Sequence, residues 1–312
     1  MENTEIIKSL LKKHQYHLVG EYAGVKLCDW LKKSLKNEGY CYKQQFYGIE
    51  SHKCMQMSPC VSFCQHKCGF CWRPVEHTIS DKMAKKIADE PEEIIEGCIE
   101  GQRKLICGYK GNPKTDIKKF NEAQSPKHAA ISLSGEPTLY PWLDALISGF
   151  KKRDMTTFLV TNGINPKGLN SLNNMPTQLY LSLCASNPEM YAKIHNAPKS
   201  NWKKLLNVID IYSNFNTRRT IRMTLQNSNM ANIKEYAKLI EKANPHFVEC
   251  KAYMHVGFSA MRLPKSEMPF FEDINSFSQC LSEELGYEII DEKKESRVVL
   301  LAPKDYKWRK LK

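Results

Sequence analysis

From about residue 128 to residue 302, short apolar runs alternate with stretches of helical periodicity. The runs are HAAISLS (128–134), TTFLVT (156–161), QLYLSL (178–183), RTIRMTL (219–225), HFVECKAYM (246–254) and SRVVLLA (296–302). Between them, LDALISGFKKR, NWKKLLNVIDIY and NIKEYAKLIEKA space their apolar residues three and four apart, as a helix with one buried face requires. Strands alternating with helices predict βαβ units around a parallel sheet. Runs this short and this apolar predict strands buried on both faces. Periodicity alone does not separate an open sheet from a closed barrel. Earlier in the chain, 5–14 and 25–36 read as helices, as does 82–106, with Pro91 near a helix start. Residues 40–76 break the rhythm. They are dense in cysteine, aromatic and turn-forming residues and read as a cysteine-bearing loop system entered by a short strand.

Polar residues gather just past the ends of the runs: Ser134-Gly135-Glu136-Pro137, Thr161-Asn162-Gly163, Gln226-Asn227 and Tyr253-Met254-His255. Parallel α/β folds bind ligands at the carboxyl ends of their strands, so these segments are expected to converge on one site. The competing explanation for any one of them is a simple turn.

The 312 residues carry 46 basic and 34 acidic side chains, a formal net charge of +12. Basic chains attract polyanions, nucleic acid above all; a lysine-rich proteome would give every surface the same charge. No apolar run reaches the roughly 18 residues of a membrane span. The start, MENTEIIKSLLKKHQ, has neither the apolar stretch nor the cleavage site of a secretory signal. The expected setting is therefore the cytoplasm, where structural disulfides are rare. That gives the 12 cysteines another meaning, because seven of them lie between Cys28 and Cys71. Such clustering points to metal or cluster ligation. Cys98, Cys107, Cys184, Cys250 and Cys280 stand alone and are expected to be buried as small hydrophobes.

Cys64, Cys68 and Cys71 are spaced C-x3-C-x2-C. Three thiolates on one tight loop suit three irons of a 4Fe–4S cluster and leave the fourth iron open to a small chelating molecule. Zinc is the competitor, since His66 and Cys60 are near enough to supply a fourth ligand. The spacing, with Trp72 after it, resembles the signature of the radical S-adenosylmethionine (SAM) superfamily. That resemblance implies a partial (β/α)6 TIM-like barrel, and a cluster that binds SAM and cleaves it to a 5′-deoxyadenosyl radical. It implies cofactor contacts from Trp72, from the Gly135-Glu136-Pro137 element that meets the SAM amino group, from Asn162 at the next strand end, and from Arg222 near the SAM ribose or carboxylate.

Cys28, Cys41 and Cys54 form a second set of three, suited to a second cluster with an open iron. Longer patterns also carry a resemblance: Cys41-Tyr42-Lys43, Phe46 to Cys54, Cys71-Trp72-Arg73, Ser132 to Pro141 and Lys251 to Gly257 are similar to the tRNA 4-demethylwyosine synthase family. The likeness runs from about residue 15 to 302. It implies that N1-methylguanosine of tRNA(Phe), beside the anticodon, condenses with pyruvate. The pyruvate carboxyl carbon leaves, and a tricyclic base on the wybutosine route remains. It further implies two 4Fe–4S clusters, SAM, a monomer and a separate electron donor such as ferredoxin or flavodoxin. Pyruvate is expected either on the second cluster or on Lys43 as a Schiff base. Trp72, Tyr253 and Phe258 are candidates to stack on a splayed base. The expected division is an N-terminal helical, cysteine-bearing extension (1–55), the barrel (56–302) and a solvated basic tail (303–312).

Overall fold

In the computed structural model, which describes residues 2–311, ten strands form one mixed sheet. They are β1 (His17–Val19), β2 (Ala23–Val25), β3 (Cys54–Ser58), β4 (His128–Ile131), β5 (Thr156–Thr161), β6 (Gln178–Ser182), β7 (Arg218–Leu225), β8 (Phe247–Ala252), β9 (Glu288–Lys293) and β10 (Val298–Ala302). The order is β1-β2-β3-β4-β5-β6-β7-β8-β10-β9. Strands β3 to β8 are parallel, six in succession. Antiparallel pairs extend both edges. The helices are α1 (Glu2–Lys13), α2 (Asp29–Leu35), α3 (Tyr42–Tyr47), α4 (Pro91–Ile106), α5 (Ile117–Ala123), α6 (Leu143–Lys152), α7 (Pro166–Asn170), α8 (Pro188–His195), α9 (Asn201–Ile211), α10 (Ile233–Ala243) and α11 (Phe271–Leu285). The six parallel strands bear out the βαβ units that the strand–helix rhythm predicted, and together they form the partial (β/α)6 barrel that the radical SAM resemblance implied.

The two-residue period of a strand sorts side chains between two cores. Leu179, Leu181, Ile221, Met223, Val248 and Cys250 point outward and pack under the helices. Phe158, Tyr180, Phe247, Val298 and Leu300 point inward, where α3 fills the barrel with Tyr42, Phe46 and Tyr47. Inside the barrel, Glu249 is fully buried. Arg222 Nε donates to it at 2.9 Å, and the Tyr42 and Tyr47 hydroxyls donate at 3.0 and 2.7 Å. A buried carboxylate needs such partners, because desolvation would otherwise expel it.

Several sequence expectations are corrected. Residues 25–36 are not one helix: β2 ends at Val25 and α2 begins at Asp29, with Cys28 as its N-cap residue. The run at 296–302 is an antiparallel strand, paired with a β9 that periodicity missed. Cys107 and Cys280 are exposed rather than buried. The basic tail keeps Lys304, Lys307 and Lys310 exposed, as expected, but its path is docked on the barrel. Leu311 N donates to Tyr47 O at 2.7 Å. The Trp308 ring stacks on Tyr306 at 4.7 Å and meets Phe247 at 5.6 Å, so aromatic contacts hold the tail while its lysines stay in solvent. The expected boundary at residue 55 falls inside β3.

Replacing Glu249 by leucine leaves the Arg222 charge buried without its partner. Loss of one member of such a pair costs about 3–5 kcal/mol. Thermal unfolding of Glu249→Leu is therefore expected to show a clearly lowered Tm; a Tm equal to that of the parent chain would mean that the pair does not hold α3 in the barrel.

Candidate active site and cluster ligands

The loop after β3 carries Cys64, Cys68 and Cys71, and its backbone is tied to several elements. Cys64 N donates to Ser80 O at 3.1 Å, Cys71 N to Cys68 O at 3.1 Å, and Lys67 N and Gly69 N to the His195 and Ile194 carbonyls at 3.0 and 3.1 Å. Arg262 Nε donates to Gly69 O at 3.2 Å, and its Nη2 to the Cys71 carbonyl. All three thiols line one small cavity of about 60 Å³, together with His66, Arg73 and Gly135. Burial raises Cys64 to about 12 and pushes Cys68 well up, so both are thiols until a metal displaces the proton.

Gly135 sits at φ +73°, and a Cβ there would lie 1.9 Å from the Cys60 carbonyl oxygen, so only glycine fits. Its neighbour Glu136 turns its side chain into the protein. The buried carboxylate accepts from Thr138 N at 3.1 Å, from the Thr138 and Thr161 hydroxyls at 2.7 Å each, and from Asn162 N at 2.7 Å. It ties the end of β4 to the end of β5. Pro137 opens the turn that follows, and Asn162 Nδ2 donates to Gln65 of the cluster loop at 3.2 Å. Cys60, the extra thiol, is buried and donates to the Glu136 carbonyl at 3.2 Å.

The second set comes from three separate elements: Cys28 at the N-cap of α2, Cys41 at the N-cap of α3, and Cys54 at the start of β3. Lys43, the second residue of α3, lies among them, with Nζ 4.6 and 4.8 Å from the Phe158 and Tyr180 ring centres. Burial raises Cys41 to about 11 and Cys54 to about 12, while the Lys43 charge pulls each thiol back. Burial lowers Lys43 itself, and Arg222 pushes the same way. Three thiols in each place suit iron–sulfur chemistry, and beside the first set the His66 and His195 rings also lie close to Cys68.

A larger cavity of about 650 Å³ at the carboxyl ends of the strands joins the two sets, with Cys71 and Cys28 both in its wall. Inward-pointing Gln56, Ser132, Val160, Ser182, Thr224 and Lys251 form its floor. Burial lowers Lys251 to about 8, and Arg222 adds to the effect. At the rim, Trp72 stacks on Tyr16 at 6.4 Å, and Lys26 lies 5.0 Å from the Trp72 ring centre. Phe258 and Tyr253 also line the cavity; Tyr253, expected as a stacking platform, is almost wholly buried there, with its hydroxyl donating to Ser259. Gln226 and Asn227 do not join the site: they form a turn closed by Asn229 and Ser266. Arg222 reaches the cavity wall, but its guanidinium is held by Glu249 at 2.8 Å and by the Tyr42 hydroxyl at 2.7 Å.

Known proteins agree with this geometry. The radical SAM superfamily pattern matches residues 58–240, and that of wyosine base formation matches residues 242–303. The SAM-dependent tRNA 4-demethylwyosine synthase of Pyrococcus abyssi is 48% identical over 308 residues, covering 96% of this chain and 90% of that protein. The chain belongs to the tRNA 4-demethylwyosine synthase family. The synthase of Methanocaldococcus jannaschii is 42% identical, covering 95% of this chain and 96% of that protein. A solved structure of TYW1 with a lysine–pyruvate adduct superimposes with a TM-score of 0.87 at 40% identity, covering 98% and 97% of the two chains. As a member of this family, the chain is a radical SAM enzyme that uses SAM and a 4Fe–4S cluster. Among the described residues, no helix is long and apolar enough to cross a membrane.

Sequence reasoning missed four residues that this synthase fold places at the site. Arg73 lines both cavities, and its buried Nε has no hydrogen-bond partner. Arg262 clamps the cluster loop, Lys251 stands in the floor, and His195 lies against Cys68. Arg73 and Lys251 sat inside the quoted family patterns, in Cys71-Trp72-Arg73 and at the head of Lys251–Gly257. Nothing in the local sequence marks Arg262 or His195.

If each cysteine set holds a 4Fe–4S cluster, anaerobically reconstituted protein carries about eight irons per chain, and Cys28→Ala lowers this to about four while the SAM-responsive signal persists. Four irons in the parent chain would reject the second cluster. Because the raised thiols must lose protons to bind iron, uptake is expected to increase from pH 7 toward pH 9.

Proposed function

We propose that this chain converts N1-methylguanosine of tRNA(Phe) into 4-demethylwyosine, with pyruvate as second substrate, and that Cys28, Cys41 and Cys54 hold a second 4Fe–4S cluster. The observation that carries the reading is the shared cavity, walled by Cys71 of one set and Cys28 of the other, with buried lysines beside it. A cluster at Cys64, Cys68 and Cys71 supplies, with SAM, a radical able to take hydrogen from an unactivated methyl group. The chain's task is to bring that methyl group and the pyruvate ketone together and to exclude water. Arg73, with its free buried donor between the cavities, suits a carboxylate. Trp72 and Tyr16, with Lys26 over both rings, suit a base splayed out of the anticodon loop. The net charge of +12 suits the phosphates on either side of that base. Electrons come from a separate carrier such as ferredoxin or flavodoxin.

Lys43 is the proposed site of pyruvate. The neutral amine attacks the ketone carbon, and water leaves to give the imine. Burial and the Arg222 charge both favour the neutral amine this needs. The lysine–pyruvate adduct of the solved relative supports this chemistry. Lys251 is a second reading, favoured by its place in the cavity floor and its lowered value of about 8.

Incubation with SAM, pyruvate, reductant and tRNA(Phe) carrying N1-methylguanosine is expected to yield a nucleoside with the mass of 4-demethylwyosine. SAM cleavage with unmodified tRNA would refute the substrate assignment. Borohydride reduction in the presence of pyruvate is expected to fix a mass adduct on the Lys43 peptide, absent in Lys43→Ala and retained in Lys251→Ala. The reverse pattern would move the imine to Lys251.

A further inference from the structure

The last turn of α8 grips the cluster loop with more than its backbone. The His195 ring, 4% exposed, places Nδ1 3.1 Å from Cys68 Sγ. It is packed on three sides. His66 stacks on it at 4.5 Å and 24°, Phe70 meets it edge-on at 5.9 Å, and Tyr191, one turn back on α8, lies at 4.8 Å. The Tyr191 hydroxyl is 2.6 Å from His66 Nε2, so the stack is itself held. Meanwhile the two peptide N–H groups flanking Cys68, those of Lys67 and Gly69, are bound to the same turn of α8. The ring and the sulfur therefore cannot drift apart without breaking two backbone hydrogen bonds.

A free thiol has a proton and can donate it to a ring nitrogen. A thiolate bound to iron has none and only accepts. With iron on Cys68, a contact at this place would need the proton on Nδ1, so that the histidine would donate. We propose that His195 is a positioning residue for the cluster: its Nδ1–H donates to Cys68 Sγ, holds the loop to α8 and raises the cluster's reduction potential. The reduced cluster is one electron more negative than the oxidised one, and a hydrogen bond to its ligating sulfur stabilises that extra charge. Reduction must precede SAM cleavage, so the bond favours the step that starts the reaction. The backbone supplies a lesser counterpart on the neighbouring ligand, where His66 N donates to Cys64 Sγ at 3.4 Å. This inference rests on the reading that Cys64, Cys68 and Cys71 hold the SAM-binding cluster.

The test uses the full chain, reconstituted anaerobically. The paramagnetic signal of the reduced cluster that changes on addition of SAM identifies the relevant cluster, and its midpoint potential is measured by redox titration. His195→Phe keeps the packed ring and removes the donor; His195→Asn returns a donor near the Nδ1 position. With iron content matched to the parent chain, His195→Phe is expected to shift the midpoint to more negative potential and to slow SAM cleavage about tenfold. His195→Asn is expected to recover part of both. Loss of iron in the Phe variant alone, with iron retained in the Asn variant, also supports a hydrogen bond that holds the loop. A Phe variant with full iron and the parent's midpoint overturns the proposal, as does equal loss of iron in both variants, which would make the ring a space-filler. A parent chain that holds iron but shows no SAM-responsive signal would overturn the cluster assignment, and the inference with it.

Discussion

The Glu249 carboxylate, buried inside the barrel, is the interaction on which the second half of the site depends. Its two tyrosine partners, Tyr42 and Tyr47, stand at the two ends of α3, with Lys43 beside the first. A six-residue helix has little stability of its own. Its position comes from Phe46 and the two tyrosines, packed and hydrogen-bonded inside the barrel. Through that anchorage β8 fixes Cys41 and Lys43, and Arg222 on β7 adds to the lowering of Lys43. The same network explains why Arg222 is spent internally. An arginine free to meet a ligand would leave Glu249 as an uncompensated buried charge.

The first cysteine set is held differently. It lies on a loop, and loops hold a geometry only when neighbouring elements fix them. Here the fixing groups come from across the barrel's carboxyl end. The Gly135 turn supports the loop from β4, with Glu136 N donating to Phe63 O at 2.7 Å; α8 binds its middle and Arg262 its far end. Glu136 acts at one remove: by accepting four hydrogen bonds from Thr138, Thr161 and Asn162, it makes two strand ends into one rigid ledge beneath the loop. Three of the four converge on Oε1 and one on Oε2.

The parts legible in the sequence are those whose physics is local. Buried parallel strands are apolar throughout, so β4 to β8 announced themselves; β9, with Glu288, Asp291, Glu292 and Lys293 on an edge, did not. Cysteine spacing was legible because the donor type and the loop length carry the chemistry together. Illegible were the contacts made by long-range pairing: His195 to Cys68 across 127 positions, Arg262 to Gly69 across 193, Arg222 to Glu249 at matched places on adjacent strands. Glu136 and Arg222 were singled out by position in the fold, yet their partners decide what they do, and those partners lie on other strands.

The same distinction bears on the two buried lysines. Burial lowers both Lys43 and Lys251, and both feel Arg222 and Glu249. Local sequence makes Lys43 the more conspicuous, two residues after a cysteine, and the structure surrounds it with all three thiols of the second set. Lys251 reaches the cavity from β8, one inward position beyond Glu249. Both amines face the second cysteine set, since Cys41 bears on each and Cys28 on Lys251 as well, and Lys251 also lines the cavity shared with Cys71. The two amines need not compete: with the keto acid on Lys43, Lys251, at about 8, stands near its balance point between the charged and neutral forms and is suited to pass protons as the imine forms and breaks.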